Sequence, residues 1–209
     1  MKIIINVGRQ LGSGGRVIAK LLADEFGCQF YDREILNLAA KESGFSEEFF
    51  EQNDEHKGFL RSLFHVRLPY VSDNDIHANR FSQESLFQFQ SDAIRRAAEA
   101  GSCVFVGRCA DYVLRDMENV INIFITAPLD YRIRQVRERH GCDEAAARKI
   151  ITDQEKDRAS YYNFYTGKRW GDSASYDLCV DASILGQEKT AKWIAEFIRK
   201  SIEGKSAGV

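Results

Sequence analysis

The order of residues at the start of the chain leaves few folds open. Ile3-Ile4-Ile5 is an apolar run that reads as a short buried strand. Gly8-Arg9-Gln10-Leu11-Gly12-Ser13-Gly14-Gly15 follows as a glycine-rich turn, with Arg16 after it. Val17-Ile18-Ala19-Lys20-Leu21-Leu22-Ala23 then carries the apolar spacing of a helix. A strand, a glycine turn and a helix in that order converge backbone N–H groups and a helix N-terminus on one point, which suits phosphate. Arg16 adds a full charge beside that nest. Glycines between a strand and a helix also serve close packing alone, so both uses stay open here. The turn departs from the pattern G-x-x-x-x-G-K-[ST]. Arg9 stands where the first glycine belongs, and Gly15 and Arg16 follow Gly14 in place of lysine and a hydroxyl residue.

A chain of 209 residues holds one α/β domain with a substantial core, or a domain with a small lid. Basic and acidic residues number 29 and 31, a net charge of −2, so no global field points to nucleic acid and any anion site is a local cluster. The five cysteines (Cys28, Cys103, Cys109, Cys142, Cys179) show no C-x-x-C pairing and read as reduced thiols. Met1-Lys2-Ile3 runs directly into the first strand, leaving no room for a signal peptide, and no apolar run nears the ~18 residues of a membrane span. A cytoplasmic protein is the expectation.

Strand-like runs recur at Ile3–Val7, Gln29–Tyr31, Cys103–Val106, Val120–Ile125 and Leu178–Val180, with helical patterns near 14–26, 33–42, 83–100, 129–140, 143–165 and 187–203. Strands separated by helices predict a five-stranded parallel sheet in a three-layer α/β/α domain spanning 1–209. Ligands of such sheets sit at the carboxyl ends of the strands. The expected chemistry therefore falls at Gly8–Arg16, Asp32-Arg33-Glu34, Gly107-Arg108-Cys109 and Thr126-Ala127-Pro128.

Residues 45–80 mix acids and aromatics without a period and read as an insertion, either an acceptor-side subdomain or a dimer contact. Its histidines, His56, His65 and His77, match no compact metal spacing, and no metal ligands are assigned. Residues 153–172 include an aromatic cluster from Tyr161 to Trp170. Packing a helix end against the core is one reading. A mobile cover hinged at Gly167 and Gly171, with Lys168 and Arg169 reaching inward, is the other.

Phosphoryl transfer needs positive charge around the equatorial oxygens and little covalent help, which arginine's planar fork suits. Arg33, Arg108, Arg132 and Arg158 each lie at or after a predicted strand end. Asp32 ends the second strand, to bind a substrate or to cap the following helix. Asp111 follows Arg108 by three residues, so the two are expected to pair on one helical turn. Asp153 and Asp157 lie four apart, and Glu155 with Lys156 makes their helix a charge-laced, solvated face.

Together, Gly12-Ser13-Gly14-Gly15-Arg16, Phe30-Tyr31-Asp32-Arg33-Glu34, Val106-Gly107-Arg108, the Arg132 helix and Asp157-Arg158 resemble the cytidylate kinase-like family of P-loop nucleoside monophosphate kinases. The resemblance runs from Ile3 to about Ile202 and is weak over Phe45–Arg80. It implies a P-loop kinase fold and transfer of the γ-phosphoryl of ATP, with Mg2+, to CMP or a related acceptor. By resemblance, Gly12, Ser13, Gly14, Gly15 and Arg16 hold the donor, with Val17 next to them, and Asp32, Arg33 and Arg108 hold the acceptor; Asp111, placed by its spacing to Arg108, is assigned to the acceptor side with them. Arg16, Arg132 and Arg158 neutralise the transferring group. The loop lacks the family's lysine and hydroxyl, which keeps two other readings open: a non-catalytic nucleotide-binding module, and a kinase for a non-nucleotide acceptor.

Overall fold

A computed structural model describes residues 2–32 and 73–207. Arg33, the helix expected over 33–42, and residues 45–72 of the insertion lie outside the described residues. The elements are β1 (Ile4–Arg9), α1 (Gly15–Phe26), β2 (Gln29–Tyr31), α2 (Asp73–Ala100), β3 (Cys103–Val106), α3 (Ala110–Val113), β4 (Val120–Thr126), α4 (Leu129–His140), α5 (Glu144–Thr166), β5 (Leu178–Asp181) and α6 (Gln187–Ala207). The five strands form one parallel sheet in the order β2-β3-β1-β4-β5. The expected architecture is therefore the observed one, with β1 at its centre.

Side chains alternate across a strand, so β1 feeds both faces of the sheet. Ile5 and Val7 pack with Ile18 and Leu22 of α1 and Ile194 and Ile198 of α6. Ile4, on the opposite face, packs with Ile94 and Ala98 of α2, Phe105 and Leu114. Ile4, Ile5, Ile18, Leu22 and Ile194 are fully buried, and each contributes about 2 kcal/mol of apolar transfer. A third cluster, Leu11 with Ile133, Val136, Ala147 and Ile151, ties the glycine turn to α4 and α5. Asp143 starts α5 by accepting a hydrogen bond from the Ala146 amide at 2.8 Å.

Three departures from expectation bear on the site. β1 runs on to Arg9 because Gly8 and Arg9 pair with Phe124 and Ile125. α2 begins at Asp73 rather than near 83, since its first turns are polar and carry no apolar period. The short α3 was not among the expected helical segments, although a helical turn at Asp111 was. All five cysteines carry free thiols, and no helix among the described residues is long and apolar enough to cross a membrane.

Candidate active site

The glycine turn is pinned at its entrance. Gln10 donates its amide to the Ile125 carbonyl at 3.0 Å. Its side-chain oxygen accepts from the Ala127 amide at 3.3 Å and from the Thr126 hydroxyl. Gly12 and Gly14 both adopt φ +81°, a left-handed conformation that costs an L side chain ~1–2 kcal/mol. Space forbids a side chain at Gly12 as well, because its Cβ would lie 2.7 Å from the Arg132 carbonyl oxygen. Gly14 precedes α1 and gives it no side-chain cap. Gly15, the first residue of α1, donates its amide to Ser13 Oγ, while Arg16 and Val17 of the first turn are exposed residues, where the helix dipole favours an anion.

Arg16 leaves the turn and reaches the end of β2. Its Nε donates to Asp32 Oδ2 at 2.5 Å, and its guanidinium lies 5.8 Å from the Phe30 ring centre. The expected donor-side cation and the expected acceptor-side carboxylate thus meet in one ion pair.

Beside the loop, at the carboxyl ends of β1 and β3, lies a cleft lined by Asn6, Arg9, Arg108, Asp111, Arg158 and Trp170 among others. Gly107, Arg108 and Cys109 are three consecutive left-handed residues, at φ +74°, +64° and +55°. This turn corrects the expectation that Arg108 and Asp111 share one helical turn: Arg108 is left-handed and stands before α3, and Asp111 stands on it. Asp111 accepts a hydrogen bond from the Tyr162 hydroxyl at 2.6 Å. Tyr161 and Tyr162 are buried against Cys109, so packing describes these two aromatics of the cluster. Trp170 meets Phe124 edge-on at 5.4 Å.

Arg158 is buried, and its guanidinium donates to the Arg9 carbonyl at 3.4 Å. Arg132 is buried on the other flank of the loop. It donates from Nε to the Ala127 carbonyl at 2.9 Å and from Nη1 to Glu155 Oε1 at 2.6 Å. The same Glu155 oxygen accepts from the Leu11 amide at 3.2 Å, so one carboxylate joins α5, α4 and the loop. Asp153 pairs with Lys149 on the solvated side of α5 as expected, whereas Glu155 does not share that face. Asn6 was also missed. It is buried on β1 and donates to Asn122 Oδ1 at 2.9 Å, while its own Oδ1 has no partner among the described residues.

Burial pushes the Asp111 carboxyl above its ordinary 3.8, against the opposing pull of the Tyr162 hydrogen bond and the Lys168 charge. The folded state then holds its proton more tightly than the unfolded chain. Its contribution to stability is complete below the ordinary carboxylate value and is lost as pH rises through the raised one. Denaturant titrations from about pH 4 to 7 should show this decline, and Asp111→Asn should flatten it. An identical slope in the variant defeats the assignment. Burial also pushes the Tyr162 and Tyr176 hydroxyls far up, so both remain phenols.

The loop fits a polyphosphate, but its hydroxyl does not fit a metal. Ser13 is fully buried, donates to the Gln10 carbonyl at 2.8 Å and accepts from the Gly15 amide at 3.4 Å. The usual hydroxyl position is Arg16. A Mg2+ ion brought by a nucleotide would have to be held by donors outside this loop.

The model of the cytidylate kinase-like family matches residues 4–184. A cytidylate kinase of Methanopyrus kandleri is 27% identical over 199 residues, covering 91% of this chain and 90% of the relative. One of Pyrococcus horikoshii is 26% identical, covering 94% and 84%. The crystal structure of an uncharacterized protein from Eubacterium ventriosum superimposes with a TM-score of 0.72 at 30% identity, over 95% of this chain and 99% of that one. Shikimate kinase from Bacteroides thetaiotaomicron shares the fold, with a TM-score of 0.53 at 14% identity, over 97% and 99% of the two chains.

Proposed function

The chain belongs to the cytidylate kinase-like family, and from that premise we propose that it moves the γ-phosphoryl of ATP to CMP or a related small acceptor. The observation that carries this reading is the uncapped start of α1 beside a cleft lined by Arg9, Arg108 and Arg158. Backbone amides over Gly12–Val17 hold the donor phosphates. Asp32, Arg33, Arg108 and Asp111 position the acceptor, and Arg16, held by Asp32, spans the two sides. An acceptor phosphate oxygen attacks the γ-phosphorus in line, the bond to the β–γ bridging oxygen breaks, and ADP leaves. Arg158 and Arg132 neutralise charge on the moving group, the latter from a position fixed by Glu155. Residues 153–172 carry Arg158 and would cover the site once both substrates are present.

The absent lysine and hydroxyl support a second reading, a nucleotide-binding module without turnover. Purified protein with ATP, Mg2+ and a panel of nucleoside monophosphates separates the two. ADP released only with a particular monophosphate supports transfer, and tight ATP binding with silence across the panel supports the module. ADP released only with a non-nucleotide hydroxyl compound would instead place the acceptor outside the nucleotides.

A further inference from the structure

We propose that Arg9 supplies, from the first position of the glycine turn, the charge that G-x-x-x-x-G-K-[ST] supplies from its lysine. This rests on the donor reading above and names the group that makes it work without lysine. In the pattern the first position is glycine and the lysine follows the last glycine; here arginine and glycine stand in those two places.

The geometry explains why the exchange is reciprocal. Arg9 is the last residue of β1, paired with Ile125, and shares by alternation the sheet face of Ile5 and Val7, the face that α1 covers. Its stem therefore lies across the first residue of α1. A Cβ at Gly15 would come within 2.5 Å of Arg9 Cβ and 3.2 Å of Arg9 Cγ. Two long side chains cannot occupy that space, so a cation at either position requires glycine at the other.

The surroundings point the same way. Arg16 is engaged by Asp32 and Arg132 by Glu155. No carboxylate among the described residues pairs with Arg9, although it is partly buried and lines the cleft. Arg158 donates to the Arg9 carbonyl at 3.4 Å, so a second arginine reaches the backbone of the same residue, and both line the cleft. A half-buried arginine among other cations is stabilised by an anion with several oxygens, which its fork binds in pairs. Beside the uncapped start of α1, the terminal phosphates of a nucleoside triphosphate meet that description.

ATP affinity of the full-length protein, read by isothermal titration, tests this alongside thermal unfolding of each variant. Arg9→Gln should weaken ATP binding by about 100-fold, and Arg9→Lys should retain most of it. The double variant Arg9→Gly with Gly15→Lys, which moves the cation to the pattern's own position, should recover affinity to within about tenfold of the wild type. That double variant carries the test if Arg9→Gln fails to fold. Wild-type binding left unchanged in Arg9→Gln, or no recovery in a folded double variant, overturns the role of Arg9 alone. A wild-type chain that binds no ATP overturns the donor reading and this assignment with it.

Discussion

Replacing Arg132 by methionine should cost about 3 kcal/mol of unfolding free energy and loosen the glycine turn. Arg132 is nine-tenths buried in a pair with Glu155, itself mostly enclosed. Removing the guanidinium leaves that carboxylate, among the described residues, with the Leu11 amide alone as a hydrogen-bond donor and takes a donor from the Ala127 carbonyl. The partial exposure of Glu155 sets the figure at the lower end of what breaking a buried pair costs. Glu155→Gln in the same background should restore much of the loss, because no uncompensated charge then remains. Turnover divides the roles further. If Arg132 also neutralises the transferring phosphoryl, the double variant regains stability but not kcat. A loss below about 1 kcal/mol in the single variant would make the pair no different from an exposed one.

Arg108→Gly should separate stability from activity. Arg108 holds φ +64° between two other left-handed residues and is buried at the cleft. Such a conformation costs an arginine ~1–2 kcal/mol and a glycine almost nothing. Relief of that strain offsets the packing that the arginine side chain provides, so the unfolding free energy should stay within about 1 kcal/mol of the wild type. The kcat/KM for the acceptor should nevertheless fall by ~10²–10³, the usual loss when one charged stabiliser leaves a phosphoryl-transfer site, with ATP affinity spared. Strain held at a residue that contacts substrate is a common arrangement. An unaltered acceptor profile would remove Arg108 from the site. A large fall in stability would make its role structural.

How much of this was legible in the chain depends on the range of the interaction. Parallel strands buried on both faces read as nearly continuous apolar runs, so Cys103–Val106 and Val120–Ile125 stood out without help from any neighbour. The start of α2 did not, because its first turns are polar. Glu155 hid inside an i,i+4 charge ladder in which Asp153 does pair with Lys149 in solvent. Only the approach of α4 and the loop distinguishes the two acids. The hydrogen bond from Tyr162 to Asp111 joins positions 51 apart, and no local pattern announces it. Arg9 had a signal, its place at the first position of the turn, but alone it read as a defect.

From its order of residue types the chain determined a buried strand, a glycine turn and a helix that starts at that turn, because backbone conformation and apolar period are local properties. Which cations serve that turn was decided by the tertiary structure. Charge acts through space: Arg16 is drawn to Asp32 and Arg132 to Glu155, while the stem of Arg9 lies against Gly15 with no carboxylate among the described residues paired to it.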